Sequence, residues 1–255
     1  MEKLSVTIIT KNEELNIERC LDALKWADEI LVVDSGSVDG TLDICRRYGC
    51  KIIEIQWMGF GKTKKFAVDN AKYDWILSVD ADEVVSQELK ENIQSILNRP
   101  QFNGYKINRK SYYLGKMIKY CGWQNDLPLR LFNRNFGNFN EKIIHEYVDM
   151  REPIGIINEC ILHYTYQSVN QHFDRMKNYA VLSAMEKFEL NKNSSIIKAL
   201  CNAVLKFFKM YIIKFGFLDG KNGLLLSFNS SIGIYLKYIN LWEMNKMKIS
   251  ETRKQ

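Results

Sequence analysis

The chain has 255 residues, 46% of them hydrophobic and only three of them proline, which is enough apolar mass for a full core and leaves no Pro-rich linker. Its 36 Lys and Arg exceed its 30 Asp and Glu, giving a formal net charge of +6 that favours phosphorylated or lipid-borne partners. The lysines are scattered and match no nucleic-acid recognition module, so no nucleic-acid role is expected.

Leu4 to Thr10 reads as a β-branched strand, and Lys11-Asn12-Glu13-Glu14 opens an amphipathic helix with Leu15, Ile17, Leu21 and Leu24 at helical spacing. Glu29 to Asp34 is a second strand ending in an acid. The turn Ser35 to Thr41 then leads into a helix running to about Tyr48, with Gly49 as its cap. Lys51 to Ile55 forms a third strand, Phe66 to Ala71 a third helix, and Trp75 to Val79 a fourth strand running into Asp80. Four strand-helix alternations within about 80 residues predict a doubly wound parallel sheet. Right-handed crossovers would bring Thr10, Asp34 and Asp80 to one edge, where α/β proteins bind ligands.

Asp80-Ala81-Asp82-Glu83 is the most informative junction. Two hard oxygen ligands at i and i+2 suit a divalent cation holding a diphosphate, since Mg²⁺ and Mn²⁺ prefer carboxylate, phosphate and water oxygens. The alternative is a solvated acidic turn.

Taken together, Thr10-Lys11-Asn12-Glu13, Val33-Asp34-Ser35-Gly36-Ser37-Val38-Asp39-Gly40-Thr41 and Ser78-Val79-Asp80-Ala81-Asp82-Glu83 resemble the inverting family 2 glycosyltransferases with the GT-A fold. Further matches are Gly59-Phe60-Gly61 with Lys64-Lys65-Phe66-Ala67, Trp123 through Leu129-Arg130-Leu131-Phe132, His145-Glu146 and Phe217-Leu218-Asp219-Gly220. These resemble the small bacterial enzymes that add glucose or a related hexose to the lipopolysaccharide inner core.

The resemblance implies an α/β GT-A fold, Rossmann-like with a mostly parallel sheet, and a metal-dependent inverting transfer. The metal would be Mn²⁺ or Mg²⁺. The donor would be a nucleotide sugar, a UDP-hexose, and the acceptor a glycolipid or oligosaccharide. Asp34 falls where the family acid accepts from the uracil N3–H, and Thr10, Lys11 and Asn12 fall where the first strand's exit meets the nucleoside. Asp39 is a weaker nucleoside candidate, or a helix cap. Lys64 takes the position of a cation that approaches the diphosphate, or is a solvated charge. Arg130 would pair with the diphosphate or an acidic acceptor, or fix its loop by a salt bridge. Asp80 and Asp82 would hold the metal, and His145 would complete its shell, touch a phosphate or serve as a structural histidine. The acceptor proton needs a carboxylate across the sugar from the metal, and the resemblance places Asp126 there, with Trp123 packing on the sugar. Where the family commonly carries Glu-Asp this chain has Asn125-Asp126, and Glu146 is the competing base.

After about Gln167 helical patterns dominate, so residues 1–166 are expected as the catalytic domain and 167–255 as a helical extension. Within Ile196 to Phe217, lysines interrupt every apolar run short of the ~20 residues a membrane span requires. Lys198, Asn202, Lys206 and Lys209 form a stripe opposite an aromatic and aliphatic face, which suits anionic lipid and predicts peripheral membrane association, or else a helix packed on the core with its lysines in water. Six cysteines without C-x-x-C spacing, and no signal peptide ahead of the first strand, predict reduced thiols and a cytoplasmic chain, peripheral on the inner face of the membrane. Two rivals remain. A sugar nucleotidyltransferase needs a Gly-rich loop after the first strand, and Thr10 to Glu14 has no glycine. The other is a non-catalytic membrane-surface module that keeps the fold alone.

Overall fold

The computed structural model describes residues 2–142, 146–151 and 153–252. Strands β1 (Leu4–Thr10), β2 (Glu29–Asp34), β3 (Lys51–Glu54) and β4 (Trp75–Asp80) are parallel and lie in the order β3-β2-β1-β4. Helices α1 (Glu14–Asp22), α2 (Thr41–Arg47) and α3 (Phe60–Asp69) connect them. The register sets Thr10 beside Asp34 and Ile9 beside Asp80, so the exits of β1, β2 and β4 share one edge, as the strand pattern predicted.

The rest of the sheet is mixed. It is built from β5 (Glu83–Val85), β6 (Gly104–Tyr113), β7 (Lys116–Met117), β8 (Leu129–Asn133) and β11 (Ile154–Tyr166), with α4 (Gln87–Asn98) after β5. The pairs β4–β8, β8–β6, β6–β7 and β11–β5 are antiparallel, while β6 and β11 run alongside in the same direction, Tyr105 beside Gly155 and the Leu114 amide donating to the Tyr166 carbonyl at 2.9 Å. The full order is β3-β2-β1-β4-β8-β6-β11-β5, with β7 on β6, while β9 (Gly137–Phe139) and β10 (Val148–Met150) form a separate ribbon. Side-chain alternation along the central strands divides the core between the two faces. Val32 packs with Ile17 and Leu21 of α1, Ile44 of α2 and Ile93 of α4, while Leu31 and Val33 pack with Ala67 and Val68 of α3. Burying Leu21 or Ile93 completely stabilises the fold by about 1.5–3 kcal/mol each.

Two local expectations shift. Leu15 is 80% exposed, because α1 buries Asn16, Ile17, Cys20 and Leu21, and Leu15 lies about 200° around the helix from Ile17. The third helix begins at Phe60 rather than Phe66, since Gly59 turns the chain at φ +93°, a region that side chains disfavour. Gly61 then lets the helix meet the backbone at 140–142: its N–H donates to the Lys142 carbonyl at 2.9 Å, and a Cβ there would lie 2.3 Å from the Asn140 carbonyl.

By compactness the chain divides into one unit of residues 1–110 and 125–163 and a second of residues 111–124 and 164–255, so a segment expected in the catalytic domain joins the helical unit. The second unit holds α5 (Val169–Glu189), α6 (Ile196–Phe208), a π-helical turn Lys209–Ile213, a 3₁₀ turn Gly216–Asp219 and α7 (Gly220–Thr252). Ser168 and Ser195 cap α5 and α6 by accepting from the Gln171 and Lys198 amides at 3.1 and 3.2 Å. Asp219 is buried and accepts from the Lys119 and Tyr120 amides at 3.1 and 2.9 Å, which gives the Leu218-Asp219-Gly220 sequence a structural reason. Trp123 packs edge-on to Tyr113 with ring centroids 6.4 Å apart, inside this unit. Among the described residues no helix is long and apolar enough to cross a membrane.

Candidate active site

All described members of the site lie in the first unit, at the exits of β1, β2 and β4, on α3, and on the later strands of the sheet and the segments leading into them. Asp34 is fully buried, and its Oδ2 accepts the Gly36 and Ser37 amides at 2.8 Å each while Oδ1 accepts the Ser37 hydroxyl. The carboxylate thereby shapes its own turn. Asn12, at φ +56°, donates its amide to Ser37 Oγ and accepts the Val38 amide at Oδ1, both at 2.8 Å, locking the β1 and β2 exits together. Lys11 is exposed. Asp39 accepts the Thr41 and Glu14 amides at 3.1 and 3.2 Å, so it ties the starts of α1 and α2 in the capping role weighed for it. Thr10 Oγ1 and Ser35 Oγ are buried with no hydrogen-bond partner. Leaving such groups unmet costs about 1–3 kcal/mol apiece, so hydrogen-bonding capacity stands unused where β1 and β2 end.

Next to this edge runs a chain of alternating charges. Lys64, on α3, places Nζ 2.8 Å from Asp80 Oδ1 and 2.9 Å from Glu146 Oε1, with its side chain 6% exposed. Arg130, on β8, donates from Nη2 to Asp80 Oδ2 and Glu83 Oε1, both at 2.7 Å. Arg109, on β6, approaches Glu83 Oε1 at 3.2 Å and holds Asp126 Oδ2 through Nε and Nη2 at 2.7 and 2.6 Å. Glu83 has no exposed surface, and its Oε2 also accepts the Asp80 amide at 2.9 Å. Burial pushes the Asp80 carboxyl up, yet the Arg130 and Lys64 charges outweigh it and hold the group well below the usual carboxylate range.

Asp82 turns elsewhere, with Oδ1 3.4 Å from His163 Nε2 on β11. Burial alone would lower the His163 pKa, but Asp82 and then Glu83 raise it above the ordinary value. Sequence reasoning gave Glu83 and His163 no role and did not mention Arg109. Arg109 stands among Lys106, Asn108 and Lys110, so nothing in its own segment sets it apart, while His163 follows the apolar pair Ile161-Leu162.

The expected residues are thus sorted. Lys64, Asp80, Arg130, Glu146 and Asp126 come together in one network; Thr10, Asn12 and Asp34 form the adjacent strand-exit turns; Asp82 sits with His163; His145 lies outside the described residues. Among the described residues no group of three or more His, Cys, Asp or Glu is arranged to hold a metal by itself. The donor chemistry still fits Mg²⁺ or Mn²⁺, which take one or two carboxylates and fill the remaining positions with phosphate and water oxygens. The charge balance fits as well: four carboxylates (Asp80, Glu83, Asp126 and Glu146) face three cations (Lys64, Arg109 and Arg130), and Asp82 faces His163.

The sequence profile described as Glycosyl transferase family 2 matches residues 5–150. An uncharacterized glycosyltransferase of Rickettsia bellii is 30% identical over 267 residues, covering 100% of this chain and 91% of that protein. The lipopolysaccharide core biosynthesis glycosyltransferase LpsC of Rhizobium meliloti is 24% identical over 250 residues, covering 92% of this chain and 93% of LpsC. Among solved structures, residues 1–349 of S. aureus TarS in complex with UDP-GlcNAc share the fold with a TM-score of 0.50 at 17% identity, over 91% of this chain and 80% of that one. The chain belongs to glycosyltransferase family 2.

Proposed function

We propose that this protein transfers a hexose, glucose in the simplest case, from a UDP-sugar with inversion at the anomeric carbon to a lipopolysaccharide core or a related bacterial surface glycan precursor. The observation that carries the reading is the convergence of Lys64 and Arg130 on Asp80 where β4 ends, beside the unmet Thr10 and Ser35 hydroxyls. A nucleoside diphosphate needs those elements together: hydroxyl and amide partners for the nucleoside, and cations for the diphosphate. The similarity to LpsC, a lipopolysaccharide core biosynthesis glycosyltransferase, supports the acceptor class.

In this reading Thr10, Lys11, Asn12 and Asp34 bind the nucleoside, and Lys64 and Arg130 bind diphosphate oxygens. Asp80 and Asp82 hold the divalent cation, with His145 as a further ligand. The chemistry the cation supplies when bound is Lewis-acid neutralisation of the diphosphate. Asp126, oriented by Arg109, accepts the proton of the acceptor hydroxyl as that oxygen attacks, and Glu146 is the alternative base. The enzyme works at the cytoplasmic face, where a lipid-borne acceptor is presented. A thermal-shift screen of nucleotide sugars with and without Mn²⁺ tests the donor assignment, because a ligand bound only by the native state raises its melting temperature. A UDP-hexose is expected to raise Tm most; no shift with any nucleotide sugar would reject the reading.

A further inference from the structure

In the second unit, residues 196–228 bury Met210 and Leu226 but leave many of their other large apolar side chains exposed. The positions they bury include Ala199, Gly216, Gly223 and Ser227, whereas Ile197 is 74% exposed, Leu205 and Ile213 are each 65% exposed, and Phe208, Phe215 and Leu218 are more than half exposed. Helix geometry explains how α6 achieves this. Ile197, Leu205 and Phe208 fall on one side, and Ala199 and Ala203 lie near the opposite side, with Ala199 completely buried as α6 packs on α7. The apolar face that the periodicity detects therefore points outward. An exposed apolar surface of this extent marks an interaction site rather than ordinary surface scatter.

Charge identifies the partner. Between residues 193 and 228 the basic residues are Lys198, Lys206, Lys209, Lys214 and Lys221; the acidic one is Asp219, which is buried and satisfied by backbone amides. The rim of the apolar face is accordingly cationic. A second copy of this chain docked through the same face would set lysines against lysines with no exposed acid in the patch to answer them. Phe207, Phe208, Tyr211, Phe215 and Phe217 add a connected aromatic group, the side-chain type that favours the boundary between headgroups and acyl chains. Lys206 is half-buried, and burial followed by repulsion from Lys209 lowers its pKa, a strain that an anionic oxygen relieves.

We propose that the α6 face and the two turns after it insert in plane into the headgroup boundary of an anionic phospholipid bilayer, with Ile197, Leu205 and Phe208 in the acyl region and the flanking lysines on lipid phosphates. This deepens the reading of a lipid-borne acceptor but does not depend on it, since the surface needs neither nucleotide nor acceptor. The mode is monotopic: an apolar face laid into the interface, held by buried area as well as by charge.

Co-sedimentation of the full chain with vesicles of equal parts phosphatidylcholine and phosphatidylglycerol tests it. Wild type is expected to pellet and to keep part of its binding at ~1 M salt, where the Debye length is only ~3 Å. The triple variant Ile197→Gln, Leu205→Gln, Phe208→Gln, all at exposed positions, should keep the wild-type Tm while its partition coefficient falls by at least ~10-fold. Lys209→Glu with Lys214→Glu should weaken binding at low salt alone. Equal partitioning of wild type and the triple variant overturns the insertion. Equal binding of the charge variant at low salt overturns the anionic selectivity. A lipid-free dimer by sedimentation velocity that the triple variant dissociates would assign the face to a second copy instead. No nucleotide sugar is present in the experiment, so its failure would leave the proposed transferase activity standing.

Discussion

Lys64 Nζ lies between Asp80 Oδ1 at 2.8 Å and Glu146 Oε1 at 2.9 Å, so one nearly buried ammonium joins the acid that ends β4 to an acid in the segment between β9 and β10. The two carboxylates are held at the site by a charge that a diphosphate can also use. Gly61 supports this join from one turn earlier on α3, where the 140–142 backbone presses against the helix too closely for any side chain.

Replacing Lys64 by Met keeps the length of the stem and removes the charge. The affinity for a UDP-sugar should fall about 10- to 100-fold, the worth of one charge-assisted contact, as read by titration calorimetry. Unchanged donor affinity would leave Lys64 as a purely structural bridge.

Glu83 is fully buried and neutralises Arg130 and Arg109 together. Glu83→Ala strands two guanidinium groups and should cost about 3–5 kcal/mol in urea unfolding, more than a typical surface carboxylate by a wide margin. A loss below about 1 kcal/mol would show that water or a neighbouring acid replaces it.

The parallel half of the sheet was legible because its strands are apolar runs, most ending in a polar or acidic residue, and the first three are each followed by a helix. That pattern also located Thr10, Asp34 and Asp80 at one edge. The mixed half was not legible, and with it went Arg109. Its partners Glu83 and Asp126 stand 26 and 17 residues away, and only the β8-β6-β11-β5 order brings them together. Periodicity found the apolar face of α6 but not its direction, since a face toward protein and a face toward lipid carry the same spacing.

His172 supplies a pH test within the second unit. Its Nδ1 is 3.1 Å from the Tyr113 hydroxyl, and burial pushes its pKa from 6.5 down to about 4, so the folded chain holds it neutral. The unfolded chain then binds more protons between those values. Stability is present above pH 6.5 and is lost as pH falls toward 4, by up to about 3 kcal/mol. Urea midpoints of wild type should decline across that window, and His172→Gln should flatten the decline; parallel declines in both proteins would put the acid sensitivity elsewhere.

The two candidate bases separate by a matched pair of variants. Asp126→Asn should lower transfer by ~10²–10⁴-fold with donor affinity nearly unchanged, because it removes a proton acceptor but keeps the size of the side chain. If Glu146→Gln loses activity and Asp126→Asn does not, the base is Glu146, and Asp126 serves to fix Arg109.

The most direct measurement is UDP release from a UDP-hexose in the presence of a lipopolysaccharide core acceptor and Mn²⁺, comparing wild type with Asp82→Asn, at matched folding verified by circular dichroism. Wild type should turn over only when acceptor is present, and Asp82→Asn should be folded and without Mn²⁺-dependent turnover. Transfer by Asp82→Asn at the wild-type rate would contradict the placement of the donor site at the exit of β4.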